Sequence, residues 1–361
     1  MKNYKPINLY ALILSLIILQ STCTRDKQKA SYNKVTEFNN FPKEVHLGGK
    51  QIGPKDYFLE PMKIAKKDSI LFILDYKKDH KLFLYNLNTG QIISKAAPSG
   101  IGPMELIGAT QYCFDKSKQF IYLLDGQSYR IFKYHTDSLL NNPDYHPAYK
   151  LQIAQLQDTT FFLRDFKYLN DSVIALSGIG ANYGVNLYNH KKDSIIHSLN
   201  PQSNKVREQL EQGQLNSFEY YALMNYGIAE GTNETIVTFG YTSDEIQIIS
   251  TGHPENRTLL LNSKHIYPDI DQQGKGRIPK GNPNYTDRAC YIDGYVTKNH
   301  IFLLYSGEAF KSPTHFLGNK ILVFSKEGKP ICKYTLNYNL RGIVVDEVTQ
   351  KIYGTAYYKD Q

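Results

Sequence analysis

The chain has no tryptophan in its 361 residues, and only four cysteines and four methionines. Without tryptophan, repeats of the WD type and propeller blades docked through that residue are both disfavoured. No two cysteines stand as CxxC, which argues against a cysteine-based zinc site. Neither HExxH nor GxSxG is present, so the motifs of the zinc peptidases and of the α/β-hydrolases are missing. The ten histidines are dispersed and form no close helical pair for a metal. Basic residues are scattered rather than gathered into a stripe, so a nucleic-acid partner is not expected. No strongly helical stretch recurs, which counts against a parallel α/β fold.

The N-terminus carries a targeting segment. Lys2 and Lys5 form a basic start, and Ile7–Leu19 is apolar apart from Asn8 and Ser15. That run is short of the ~20 residues needed to span a bilayer, and its flanks fit an export signal. Small residues Ser21 and Thr22 precede Cys23, although Gln20 stands where leucine is usual. The arrangement resembles a bacterial lipoprotein signal: residues 1–22 removed, Cys23 acylated, and residues 23–33 a polar tether. Plain secretion and an uncleaved anchor are the alternatives. The formal charge of +8 falls to +6 once Lys2 and Lys5 are removed. Cys113, Cys290 and Cys332 each sit in an apolar strand pattern; they read as core residues, with one disulfide between two of them as the other possibility.

What the chain has in abundance is repetition. An apolar strand, a short polar turn, a second apolar strand and a hairpin turn recur from Ile70, Phe120, Val173, Ile236, Ile301 and Ile352. The starts are 50 to 65 residues apart, the size of a four-stranded propeller blade. Upstream of several copies lies another apolar segment, as at Gln111–Asp115, Phe166–Leu169, Cys290–Asp293 and Gly342–Asp346. These read as innermost strands. The strands are near-continuous apolar runs, as expected when both sheet faces are covered.

The sixth copy is short by two strands. Lys34–Phe38 and Lys43–Leu47 read as strands that could supply them, closing the ring and removing an exposed edge. The expected fold is therefore an all-β six-bladed propeller over residues 34–361, closed by its N-terminal strands and preceded by a lipoprotein-type signal. The repeat, the signal-like start and the segment Ser99–Leu106 resemble the TolB-like six-bladed propeller lipoproteins of Gram-negative bacteria. A G-x-G-P-x-E stretch in that family corresponds to Gly100, Gly102, Pro103 and Glu105. The resemblance implies an envelope location, at the outer membrane and facing either the periplasm or the outside. Many members have no assigned activity.

Ligands tend to sit at concave mouths, and in a propeller the residues entering the inner strands open onto one. Here these are Glu60, Thr110, Arg164 with Asp165, Asn225, Asp287 with Arg288, and Arg341. They could form a polar funnel for an anionic or polyhydroxylated ligand, or simply pair with one another along a solvated channel. Glu105 could contact a ligand or belong to a tight turn. Long insertions at Pro201–Met224 and Asn262–Arg288 should overhang the same face.

The leading expectation is a non-catalytic binding or scaffolding module without cofactor or metal, held at the membrane by its lipid. Its partner would be a glycan, a peptide or an envelope protein. A second is a propeller hydrolase or lactonase with an axial cation. Glu60, Asn225 and Asp287 offer the oxygen ligands calcium prefers, but nearby arginines oppose a cation. A third is a sensor or assembly partner in an envelope complex. Mass spectrometry of the mature chain should find residues 1–22 removed and acyl chains on Cys23; a mature protein free of membrane and without acyl chains would overturn the anchor.

Overall fold

The computed structural model describes residues 33–54, 57–142, 145–153, 162–179, 184–199, 226–262 and 288–356. The signal, Cys23, most of the tether and nearly all of both long insertions lie outside these residues. Two short strands come first, β1 (Lys34–Phe38) and β2 (Glu44–Leu47). Five sheets then follow in chain order. The first contains β3 (Pro61–Lys67), β4 (Ile70–Asp75), β5 (His80–Asn86) and β6 (Gln91–Pro98). The second contains β7 (Ala109–Phe114), β8 (Phe120–Asp125), β9 (Arg130–His135) and β10 (Tyr149–Gln152), with the short helix α1 (Thr136–Asn141) before its last strand. The third contains β11 (Phe162–Tyr168), β12 (Val173–Ile179), β13 (Gly184–Asn189) and β14 (Ser194–Leu199).

The fourth begins with β15 (Tyr226–Ile228), from which β16 (Glu230–Gly231) departs to the neighbouring sheet. It continues as β17 (Thr235–Gly240), β18 (Ile246–Ser250) and β19 (Arg257–Asn262). The fifth contains β20 (Tyr291–Val296), β21 (His300–Tyr305), β22 (Gly318–Ser325) and the first half of the long β23 (Pro330–Asp346). The second half of β23 pairs with β24 (Lys351–Ala356) as a two-stranded sixth unit. Within each blade the strands are antiparallel neighbours in sequence.

Local chemistry explains the repetition. Hairpin turns are set by a side chain that accepts backbone N–H groups two and three residues on. Asn86 accepts from Asn88 and Thr89, Asn189 from Lys191 and Lys192, and Asp346 from Val348 and Thr349. Between turns, β4 is buried along its whole length. Its Phe72 and Leu74 join Leu82, Tyr112, Leu123 and Phe132 in one cluster between the first and second sheets. Tyr122 stacks on Tyr168 at 3.7 Å between the second and third. The inner strands touch in cyclic order, β3 to β7, β11, β15, β20, β23 and back to β3. Cys113, Cys290 and Cys332 are free and buried, so they are core residues and no disulfide links them.

The N-terminal strands do not complete the sixth unit as the sequence suggests. β1 adds in parallel to β19, on the outer edge of the fourth blade, and β2 adds in parallel to β23, on the outer edge of the fifth. The reason lies in three aromatic rings. Phe38 and Phe41 pack edge-on against Phe324 at 5.1 and 5.3 Å, in the cluster between blades four and five; such pairs contribute about 0.5–1.5 kcal/mol each. From there the chain runs across the sixth unit to the first blade. Gly49 N–H donates to Asn337 Oδ1 at 2.8 Å, and Tyr57 and Phe58 reach the ring of Phe83. The N-terminus is a belt over blades four, five and one.

Gly231 marks the closest approach between inner strands. Its φ is +109°, and a Cβ there would lie 1.9 Å from the Val296 carbonyl oxygen. Replacing Gly231 with alanine should therefore destabilise the fold by roughly 2–4 kcal/mol. Urea denaturation checks this, and an unchanged midpoint would be incompatible with the packing of β16 on β20.

Candidate functional site

Charged side chains lie inside the inner strands, where the sequence otherwise alternates with apolar residues. Lys63 on β3 is paired with Asp293 on β20, and both are buried. Asp293 Oδ2 also accepts the N–H of Ile343 on β23 at 2.8 Å. Asp165 on β11 accepts from Phe166 N–H at 2.8 Å and from Ile228 N–H on β15 at 2.9 Å. Lys167, fully buried, donates to the Ala229 carbonyl at 2.9 Å. Tyr112 on β7 donates to the Ile64 carbonyl on β3. Lys66 meets Asp346 at 2.9 Å, joining the sixth unit to the first.

Burial and pairing set the charges. Burial alone would lower Lys63, but Asp293 and Asp165 beside it outweigh that and hold it above its ordinary value. Burial pushes Asp165 up to about 6 despite the nearby Lys63 charge. It pushes Glu230 up to about 8, with Lys167 opposing, and it lowers Lys167. Glu230 Oε1 has no hydrogen-bond partner among the described residues, so its neutral form is the cheaper one to bury.

Above this core, on the face where the inner strands begin, lies a different assembly. Arg341 Nη1 bonds Glu60 Oε1 at 2.7 Å, and Lys77 meets Glu60 Oε2 at 3.2 Å. Burial favours the neutral acid, but these two cations hold Glu60 below its ordinary value. The Arg341 guanidinium lies 5.0 Å from the Phe316 ring centroid, and that of Arg164 lies 5.4 Å from Tyr241. Tyr241, Phe310, His315 and Phe316 follow one another ring to ring, each centroid 5.6 Å from the next. Arg164 is half-buried and forms no ion pair among the described residues; burial lowers it, and the charge of Asp165, its neighbour in the chain, opposes that. Further along the same inner strands, Lys63 and Asp293 are 8% and 3% exposed.

The residues singled out from the sequence separate into distinct roles. Glu60, Arg164 and Arg341 meet at the mouth. Asp165 belongs to β11 and stitches it to β15 below. Arg288 bonds the Gly307 carbonyl at 2.7 Å. Asn225 and Asp287 lie outside the described residues. Glu105 is committed to its own loop: Oε2 accepts the Gly102 N–H at 2.8 Å, and a side chain on Gly100 would collide with that oxygen. Among the described residues no group of three or more His, Cys, Asp or Glu could hold a metal. Sequence reasoning missed Lys63, Lys167, Glu230 and Asp293. Their signal was a charge at alternate positions in short apolar strands, as in PMKIA and YIDGYV.

The profile of one family, TolB-like 6-blade propeller-like, matches residues 39–348. No curated protein sequence matches the chain. Among solved structures, a Bacteroides fragilis protein described as exported is 13% identical; the match covers 90% of this chain and 79% of that one, with a TM-score of 0.49. The WD40 repeats of RRP9 are 8% identical over 82% and 87% of the two chains, with a TM-score of 0.47.

The Glu230 carboxyl yields a pH prediction. The folded chain keeps a proton that the unfolded chain has already released above the ordinary value of 4.5. The folded state binds more protons, so stability falls as pH rises from about 4.5 to about 8. Asp165 contributes with the same sign between 3.8 and about 6. The variant Glu230→Gln should flatten the upper part of this decline in urea titrations run from pH 5 to pH 9; an unchanged slope would rule out Glu230 as its source.

Proposed function

The chain belongs to the TolB-like 6-blade propeller-like family, and on that footing we propose that it is an exported binding propeller. In this reading it is held at the cell envelope, at the outer membrane, by an acylated Cys23. Its mouth captures an acidic ligand without altering it. The observation that carries the reading is Arg164: a half-buried guanidinium, seated on Tyr241, in no ion pair among the described residues.

A guanidinium over an aromatic face keeps its N–H fork free for a planar anion. Partial burial strengthens that bond, and a charge-assisted pair can be bidentate. Arg341 and Lys77 add to the positive potential, only partly offset by Glu60. The aromatic wall supplies apolar area. A hydrolase or lactonase with an axial cation gains no support from the site, because Glu60 is already bonded to two cations.

The test is an array of acidic and neutral oligosaccharides and peptides. Wild-type protein should retain acidic members, and Arg164→Gln should weaken them about tenfold or more. Equal retention of neutral members, or an indifferent variant, would reject the mouth as the binding surface.

A further inference from the structure

The chemistry of the mouth goes further than acidity. Its rim offers three kinds of group. Guanidinium forks come from Arg164 and Arg341, and flat apolar faces from Tyr241 and Phe316. Tyr76 and Gln127 add a phenol and an amide, whose polar atoms are 3.5 Å apart and so only weakly engaged with each other. Both follow strands that end on this face, β4 and β8. Forks suit carboxylates, ring faces suit the C–H face of a sugar, and weakly engaged phenol and amide groups suit hydroxyls. A ring-bearing acid rich in hydroxyls matches all three.

Glu60 gives the second element. Its backbone N–H is held by Asp75, with contacts of 3.1 and 3.2 Å to the two carboxylate oxygens. Its side chain fills one arm of the Arg341 fork. A carboxylate from this chain thus already occupies the position that a ligand carboxylate would take on Arg341. Both partners of the pair are 18% exposed in their side chains, within reach of an incoming group.

We propose that the mouth recognises a uronic acid of an acidic oligosaccharide, whose carboxylate docks on Arg164 and competes with Glu60 for Arg341. This rests on the reading of the mouth as an acid-binding surface and names its ligand class. Arg164 anchors the sugar acid, the aromatic wall takes the ring face, and Tyr76 with Gln127 takes hydroxyls. Glu60 sets the threshold, since a ligand gains Arg341 only by breaking an existing ion pair.

The experiment is calorimetric titration of the membrane-released mature protein with trimers of galacturonic, glucuronic and mannuronic acid. Methyl-esterified trimers, which keep the rings and lose the charge, are the control on unmodified protein. At least one free acid should bind, its ester about tenfold or more weaker. Glu60→Gln should bind about threefold tighter or more, because an ion pair still reached by solvent contributes up to about 1 kcal/mol. Arg341→Gln should bind more weakly. Thermal melts of each variant verify folding, and the ester comparison needs no variant. Equal binding of acid and ester, or weaker binding by Glu60→Gln, overturns the proposal. A free peptide carboxylate that binds in an Arg164-dependent way while all three trimers fail overturns the sugar assignment alone. No Arg164-dependent binding of any acid overturns the acid-binding reading as well.

Discussion

The ion pair between Lys63 and Asp293 is the constraint on which the other axial contacts depend. Each charge would be costly to bury alone, and removing one partner of such a pair costs about 3–5 kcal/mol because the other remains. Here the pair spans the first and fifth blades, and Asp293 then takes the Ile343 N–H of the sixth unit. Asp165 and Lys167 do the same for the third and fourth blades. The sheets themselves interact through apolar surface, which is non-directional. The axial polar groups add direction: they fix how far each inner strand slides against the next.

The two polar assemblies along the axis differ in what they leave unsatisfied. In the core the acids and ammonium groups are consumed by one another and by backbone, and Glu230 avoids the problem by favouring its neutral form. At the mouth the charges are asymmetric, because one carboxylate, Glu60, is shared by Arg341 and Lys77 while Arg164 forms no ion pair among the described residues and sits on an aromatic ring. The network below is closed on itself, and the one above still has charge to share.

Much of the fold was legible in the sequence because blade strands are short, apolar and separated by turn residues with a defined chemistry, as at Asn86, Asn189 and Asp346. The inner strands were placed within a few residues for the same reason. The docking of β1 and β2 was not legible. A four- or five-residue edge strand has little pattern, and what decides its partner is the fit of Phe38 and Phe41 against Phe324, more than 280 residues away along the chain. For the site, Glu60, Arg164 and Arg341 could be found by counting back from inner strands. Tyr241 and Phe316 could not, since nothing in a linear sequence places two loop aromatics beneath two arginines.

The belt also dictates an order of events. Asn33 bonds Asn256 across a separation of 223 residues, and Gly49 bonds Asn337 across 288. The strands β1 and β2 therefore have no place to dock until most of the chain has been made. Contacts of such sequence separation form slowly, since a long loop must be closed before any gain is realised. During that interval the outer edges of blades four and five carry unpaired backbone groups, open to a strand from another chain. Until the belt docks on both edges, the growing molecule is open to mispairing with its neighbours.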